Sequence, residues 1–359
     1  MKIAILGAGG FLGSRFVETG LLNGAFEVVP VIRGPRAAAR LARFGPIWKS
    51  VDTSSPEKLA GVLTGCDALV NATIGEYGAM AKATDAAWQA CALAGVRQYV
   101  HLGTAEVFGT VESPTIHDDS QPVQGHWMAY ARAKGAAEMA VRAHFGDQRL
   151  TTTVLRPGLI WGPKSPWVEG PAKGMLAGTS FLANGGRGAC NLIYIDNLVA
   201  QVLSVVRQAP KVSGCFNVSD DEVHDWRGYY EALARQVGIP FSAVHQVEAA
   251  SYRMDVGDLL QQAKGSVLGE WLKKRLGPAE KRKIQHVLGA FKKPVFGPVG
   301  AAAPAVTRGE WHLQAVKRKL PNAKFRGAFG RHGEIDFAEA MARSGEWLRA
   351  SGYVWELPK

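Results

Sequence analysis

Lys2-Ile3-Ala4-Ile5-Leu6 runs directly into Gly7-Ala8-Gly9-Gly10-Phe11-Leu12-Gly13. The first five residues form a short apolar strand. The glycines permit a tight turn and a close approach of backbone to an anion, and the stretch from Phe11 to Leu22 has helical character. A helix N-terminus presents unpaired N–H groups, so strand, glycine turn and helix together make a cradle for a pyrophosphate. The spacing Gly7-x-x-Gly10-x-x-Gly13 differs from the common G-x-G-x-x-G fingerprint, although Gly9 supplies that pattern's middle glycine. Dinucleotide binding is expected here, with Gly7, Gly10, Phe11, Leu12 and Gly13 against the ligand. The competing reading is a plain strand–turn–helix.

The second apolar run, Glu27 to Ile32, ends at Arg33, with Arg36 and Arg40 behind it. An NAD enzyme usually places an acid there, on the adenosine ribose. Guanidinium groups suit a 2′-phosphate, so the cofactor expected is NADP(H), with NAD(H) as the alternative. Three solvated arginines leading into a surface helix would explain the same residues. Asp52 is a candidate partner for the adenine amino group, or a loop acid without a ligand. Ala72 and Pro157, at or just past the ends of two further strands, are also expected to line the cofactor.

Tyr130-Ala131-Arg132-Ala133-Lys134 places a tyrosine and a lysine one helical turn apart, on one face. A phenol is a poor acid or base at neutral pH, and a nearby ammonium would lower its pKa. The lysine can also hold a nicotinamide ribose. Upstream, Tyr99 to Leu102 reads as a buried strand, and Thr104 follows at its C-terminal end, where open α/β sheets bind ligands. The Thr104 hydroxyl is a candidate to hold a substrate oxygen; alternatively it satisfies its own turn.

With these residues the chain resembles the extended short-chain dehydrogenase/reductases, the NAD(P)-dependent epimerase/dehydratase group. Their glycine loop TGxxGxxG is matched by Gly7, Gly10 and Gly13, with Leu6 at the threonine position. Further matches are Leu155-Arg156-Pro157-Gly158-Leu159-Ile160-Trp161-Gly162-Pro163, Tyr194-Ile195-Asp196-Asn197 and Phe216-Asn217-Val218. The likeness covers residues 1–240 and returns near 324–352. It implies a Ser/Thr–Tyr–Lys set at Thr104, Tyr130 and Lys134. The family's dehydratases carry Thr-Asp-Glu where this chain has Thr104-Ala105-Glu106, so elimination by an acid pair is in doubt. Glu106 stands as a candidate base or a structural residue. The family's nucleotide-phosphate arginine is Cys190 here, with Arg187 nearby as a substitute.

Apolar candidates at 2–6, 27–32, 67–73, 97–102 and 151–155 alternate with helical stretches at 11–22, 56–63, 79–94 and 127–144. That alternation predicts an α/β, Rossmann-type doubly wound parallel sheet with a smaller C-terminal substrate domain. The cofactor domain is expected over 1–163, completed by 190–218, with Leu192–Val206 returning a strand and a helix to the main sheet. Residues 164–189, rich in Gly and Pro, read as a substrate loop region. With 219–335 they form the substrate domain, carrying a basic insert at about 255–325, and a terminal helix follows at 336–352.

Among 359 residues the net charge is +11. Residues 251–330 hold 16 basic and 5 acidic side chains, so that stretch carries the whole excess. One reading is two amphipathic helices with solvated lysines. The other is a surface for a peripheral contact with an anionic membrane, through Lys273, Lys274, Arg275, Lys281, Arg282 and Lys283. Nucleic acid ranks last, without a binding fold or aromatic platform. Cys66, Cys91, Cys190 and Cys215 lack metal-type spacing and the nine histidines lack a zinc motif, so no metal is expected. No leader or membrane span is expected, which reads as cytoplasmic, and a homodimer is expected.

Two classes of function follow. The first is an oxidoreductase acting at a carbinol or keto carbon of a small, sugar-like, nucleotide-activated or free substrate. Its close variant is a nucleotide-sugar epimerase or decarboxylase/dehydratase with retained NAD. The second class is a non-catalytic dinucleotide sensor.

Overall fold

The structure is a computed structural model; it describes residues 1–24, 26–45, 47–109, 118–208, 213–248, 306, 308–330 and 335–353. The basic residues from Lys273 to Lys283 expected to meet a membrane lie outside them. Strands β1 (Lys2–Leu6), β2 (Glu27–Ile32), β3 (Lys49–Ser50), β4 (Ala68–Asn71), β5 (Gln98–Leu102) and β6 (Thr151–Pro157) form one parallel sheet. A seventh strand, Gly214–Val218, closes its edge beside β6, giving the spatial order Gly214–Val218, β6, β5, β4, β1, β2, β3. The order reverses between β1 and β4, the switch point at which ligands meet such sheets. The glycine loop leaves the C-terminal end of β1 beside that reversal.

Both faces of the sheet are covered, which explains why β1 is apolar from Ile3 to Leu6. Ile3 and Ile5 pack on one side with helices α1 (Phe11–Asn23) and α6 (Ile195–Gln208). Ala4 and Leu6 pack on the other, with α2 (Pro56–Leu63) and α3 (Met80–Ala94). On that second side α4 (Ala129–Arg142) lies against α3.

Glycine is needed where α1 meets β1. A Cβ on Gly13 would lie 2.2 Å from the Gly7 carbonyl oxygen, and one on Gly9 would lie 1.8 Å from that of Ala37. Gly7 itself has φ +88°, a left-handed conformation that glycine adopts freely. The motif is thus a packing requirement as well as a ligand feature.

Two expectations need correction. The strand at Leu192 does not join the main sheet. Leu192–Tyr194 (β10) pairs with β7 (Leu159–Trp161) in a separate two-stranded sheet, and Gly214–Val218 (β11) takes the edge position. Five residues from Gly214 to Val218 offer a long register against β6, whereas the three of β10 match the short β7. Residues 164–189 also hold more than loop: Pro166–Leu176 is helix α5, with Ser165 capping it and Pro171 inside. Proline at the first helical position needs no N–H partner, and Ser165 Oγ accepts the Trp167 N–H at 3.1 Å.

The remaining elements are β8 (Phe181–Ala183), β9 (Ala189–Cys190), β12 (His224–Asp225), β13 (His245–Val247), α7 (Trp226–Val237), α8 (Arg308–Ala315), α9 (Ala323–Phe329) and α10 (Phe337–Ala350). The core does not stop at the boundary expected after residue 163. Trp161 is fully buried and contacts Tyr194, Tyr229 and Phe337 edge-on or tilted, at ring separations of 5.4–5.6 Å. Four stretches of chain therefore meet on one indole. The four cysteines are buried and unpaired.

Helix α4 is held by a buried ion pair. Arg156 on β6 donates from Nε to Glu138 Oε2 at 2.8 Å and from Nη2 to Glu138 Oε1, and both side chains are fully buried. The remaining guanidinium donors reach the carbonyls of Asp118 and Ser120 at 2.9 and 2.7 Å. Removing one partner leaves the other charge buried and uncompensated. Glu138→Ala should therefore cost about 3 kcal/mol or more of unfolding free energy. Urea denaturation of both proteins checks this; a loss under about 1 kcal/mol would show that the pair is replaceable.

Candidate active site

Strands β4 and β5 end side by side, and α4 passes across their ends. Lys134, 3% exposed, sends its ammonium to the carbonyls of Thr73 at 3.2 Å and Leu102 at 3.0 Å. Burial pushes its pKa down to about 8. His101 beside it is buried, and burial followed by the Lys134 charge pushes its pKa down to about 3, so it is neutral.

One turn earlier on α4, Tyr130 lies near Thr104, whose hydroxyl lowers the phenol's pKa. Burial raises the phenol to about 12, against the lowering by Thr104, with Tyr77 and Glu106 adding smaller upward pushes. The Tyr77 and Tyr130 rings lie 6.1 Å apart. The sequence reading expected the lysine to lower this pKa. The direction here is the reverse, because burial of the phenol is the largest cause.

Thr104 Oγ1 accepts the Glu106 N–H at 3.2 Å, so the turn fixes the hydroxyl and the carboxylate together. Burial raises the Glu106 carboxyl to about 7, opposed by Arg318. His126 Nε2 lies 3.8 Å from Glu106 Oε1. The imidazole is 6% exposed, and its Nδ1 accepts the Met128 N–H at 3.0 Å, which leaves the proton on Nε2 when the ring is neutral. Burial, then Arg132 and His312, lower its pKa. Gly109 has φ +60°, and a Cβ there would sit 3.0 Å from His126 Nε2. Sequence reasoning missed His126 and Arg318. The glycine at 109 was visible, but its meaning depends on a histidine 17 positions later.

A cavity opens onto this group, lined by Thr104, Glu106, Pro157, Asn191 and Arg318, with Leu159, Leu313 and Leu320 supplying apolar wall. Pro157 faces it rather than the glycine loop alone. A second cavity lies beside Asp220, whose carboxyl accepts the Tyr194 N–H at 2.7 Å and the Asn197 amide at 2.8 Å. Burial raises Asp220 to about 6.

On the cofactor side, Gly10 caps α1 with no side-chain bond, and its first turn carries no acid. The first N–H groups of α1 thus have no side-chain cap. Ala72 is next to the loop: a Cβ on Gly7 would come 2.9 Å from its carbonyl oxygen. Phe11 is half-buried and Leu12 buried. Arg33 and Arg36 are exposed just beyond β2, and Arg40 reaches the Gly9 carbonyl at 3.4 Å. Asp52 accepts the Ser54 N–H at 3.0 Å and its hydroxyl at 2.6 Å, which lowers its pKa. It sits past the end of β3, beside the end of β2.

Residues 3–218 match the model of the NAD dependent epimerase/dehydratase family. The chain belongs to this family. It is an NAD(P)-dependent enzyme of the oxidoreductase or epimerase/dehydratase type. A 2-alkyl-3-oxoalkanoate reductase of Stenotrophomonas maltophilia is 29% identical over 67% of this chain and 77% of its own length. A 3-diazoavenalumate denitrifying reductase of a Streptomyces species is 28% identical over 42% of this chain and 50% of its own length. The fold resembles dTDP-glucose 4,6-dehydratase of Streptomyces venezuelae, solved with NAD: TM-score 0.68, 19% identity, 99% of each chain. It also resembles UDP-glucuronic acid 4-epimerase of Bacillus cereus, with TM-score 0.66 and 15% identity over 98% of this chain and 100% of that one.

No helix among the described residues is long and apolar enough to cross a membrane.

The raised Glu106 carboxyl links stability to pH. Its unperturbed value is 4.5 and its folded value about 7, so between them the folded protein keeps a proton that the unfolded chain has released. Its contribution is full below about 4.5 and declines as pH rises through about 7. Glu106→Gln removes this dependence. Wild type minus variant unfolding free energy should fall by about 2 kcal/mol over that window, discounting the solvent-reached part of the carboxyl. Denaturation curves at several pH values check it; a flat difference would place the Glu106 pKa near its ordinary value.

Proposed function

We propose that the protein is an NADP(H)-dependent reductase that protonates a carbonyl oxygen from Tyr130 while Thr104 holds that oxygen. The observation that carries this is the buried phenol of Tyr130, raised to about 12, beside Thr104 at the end of β5. At neutral pH the phenol keeps its proton, and carbonyl reduction needs a donor of one. Thr104 lies close enough to Tyr130 to lower its pKa, and a carbonyl oxygen between them would meet both groups. Lys134 holds the strand ends that shape this point and can turn its ammonium to a ribose hydroxyl.

The chain's residues fit the dinucleotide. Gly7, Gly10 and Gly13 set the turn, the uncapped start of α1 suits a pyrophosphate, and Arg33 and Arg36, exposed just past β2, suit an adenosine 2′-phosphate. The dinucleotide, when bound, supplies the hydride. Asp52 is placed near the same end of the sheet and would need only one of its oxygens for Ser54.

The substrate reading rests on what lines the cavity. Ala105 stands where family dehydratases carry an acid, which favours reduction over elimination. Cys190, at the family's nucleotide-phosphate position, is buried in the β9–β12 pair and offers no cation. Arg187 turns to the Asn184 carbonyl and is not among the cavity's lining residues. These features favour a small carbonyl compound without a diphosphate, and two curated relatives are named reductases. A second reading uses Glu106, partly ionised near neutral pH, as the base for epimerisation or elimination on a sugar-like substrate.

NADPH consumption with 2-alkyl-3-oxoalkanoates, simple ketones and sugar nucleotides separates the readings; turnover of sugar nucleotides without net NADPH use would favour the second. Tyr130→Phe should lower kcat by about a thousandfold while dinucleotide affinity stays within a factor of about three. Activity retained within about tenfold removes the phenol from proton transfer. Arg33→Asp should weaken NADPH binding far more than NADH binding, by about tenfold or more, because a charge-assisted contact to phosphate is lost. Fluorescence titration with both cofactors reads this, and equal losses would point to NADH.

A further inference from the structure

Glu106 sits in a turn held from several sides. Thr104 Oγ1 accepts the Glu106 N–H at 3.2 Å, and the Gly109 N–H closes the turn on the Glu106 carbonyl at 3.0 Å. The Val123 N–H donates to the Val107 carbonyl at 2.9 Å, which ties the turn to the loop before α4. Arg132 on α4 grips the far end of that loop, donating to the carbonyls of His126 at 2.7 Å and Trp127 at 2.8 Å. The loop therefore delivers His126 to Glu106 in a set orientation. Its Nε2 lies 3.8 Å from Glu106 Oε1, too far for a hydrogen bond, and among the described residues no other group takes that N–H. Gly109 leaves room for the ring, since a Cβ there would come 3.0 Å from Nε2.

Each carbonyl reduction would leave Tyr130 as a phenolate, and the next cycle needs its proton back. Lys134 is poorly placed to supply it: the side chain is 3% exposed and its ammonium is turned to the carbonyls of Thr73 and Leu102. Glu106 is better placed. Its charge is felt at Tyr130, Thr104 stands beside both, and 27% of its side chain is exposed along the cavity, so solvent can reload it. The groups facing its carboxyl are Tyr130 from α4, His126 from the loop before it and Arg318 from the segment after α8. Burial holds the carboxyl proton up to about 7, opposed by Arg318, and the phenol holds its own up to about 12. Transfer from carboxyl to phenolate is therefore downhill.

We propose that Glu106 is the proton donor that restores Tyr130 after each turnover, and that His126 is its positioning residue. This rests on reading the site as that of a carbonyl reductase. The step balances. Once the alcohol has left, the Glu106 O–H bond breaks and a Tyr130 O–H bond forms, the Thr104 hydroxyl receiving one proton and passing on another. A Glu106 carboxylate remains until solvent in the cavity protonates it. His126 meets that carboxylate with its Nε2–H, closing from 3.8 Å to hydrogen-bonding distance. The ring itself stays neutral, because burial, Arg132 and His312 lower its pKa. Glu106 is loaded below about pH 7 and empties as pH rises through it, so turnovers after the first slow in that direction.

Stopped-flow oxidation of NADPH by the full chain, with 2,3-hexanedione as the carbonyl probe, separates the first turnover from those that follow. In wild type the steady rate, relative to the first turnover, should decline from about pH 6 to about pH 8. Glu106→Gln has no proton to give. Its later turnovers should be slower relative to its first by about tenfold or more beyond the wild-type ratio, without that pH dependence. Added imidazole, a small diffusible acid, should restore part of the variant's steady rate and leave wild type unchanged. His126→Leu should move the wild-type midpoint to higher pH by about half a unit or more, and His126→Gln, which keeps an N–H donor, should return it toward wild type. A Glu106→Gln protein whose later turnovers keep the wild-type ratio to its first overturns the relay and leaves the reductase reading standing. A midpoint indifferent to His126→Leu removes His126 from it. No NADPH oxidation by wild type with this ketone or any other tried would sink the reductase reading and the relay together.

Discussion

The ion pair between Arg156 and Glu138 is the constraint from which the rest of the site follows. Both charges are out of water; Arg156 donates to Glu138 and to the carbonyls at 118 and 120, and Glu138 also accepts from Arg142 at 3.4 Å. Burial works against the Arg156 charge, and the hydrogen bond to Glu138 together with the surrounding negative charge outweighs it, so its pKa is raised. Such a pair adds little net stability compared with apolar packing, but it tolerates few geometries. It pins α4 to β6 at one position. Tyr130 and Lys134 lie on the same helix two turns or less from Glu138, so their placement over the strand ends inherits that precision. Arg156 also lies 4.8 Å from the Phe108 ring, which ties the pair to the turn carrying Thr104 and Glu106.

Desolvation then sets the protonation state of that site. Tyr130 is driven up, Lys134 down and Glu106 up, each toward its neutral form. A protonated phenol beside a hydroxyl suits delivery of a proton to a carbonyl oxygen. The same loss of solvent strengthens every charge that enters, which is why Arg318, the cation facing Glu106, matters more here than on a surface. A bound dinucleotide would change these balances by covering the strand ends, and Lys134 holds its present carbonyl partners with donors that can turn.

The cofactor side is built from backbone. Gly9 and Gly13 are fixed by contacts with carbonyl oxygens of Ala37 and Gly7, so any side chain there would move α1 or the turn at 35–38 away from β1. Charge is a later layer on that frame. Arg33 and Arg36 remain exposed, and Arg40 touches the loop itself. This division explains why the loop identifies a dinucleotide site while the choice between its phosphorylated and unphosphorylated forms rests on a few exposed side chains.

The sequence by itself determined what is local. Strands and helices of the first half lie where the apolar periodicity puts them, because each buries a face whose spacing the backbone dictates. Tyr130 and Lys134 share a face for the same reason, and Thr104 follows its strand. Only the tertiary structure decided which strand completes the sheet. Leu192–Tyr194 and Gly214–Val218 are both short and apolar, and the choice came from register against β6 rather than from either segment alone. Only packing, likewise, brought Glu106 and Arg318 to one cavity and set His126 beside Glu106, and only burial reversed the expected shift of Tyr130. Periodicity reports which face of an element is dry; it carries no record of what lies across the gap, and the chemistry of this site is written in those cross-gap contacts.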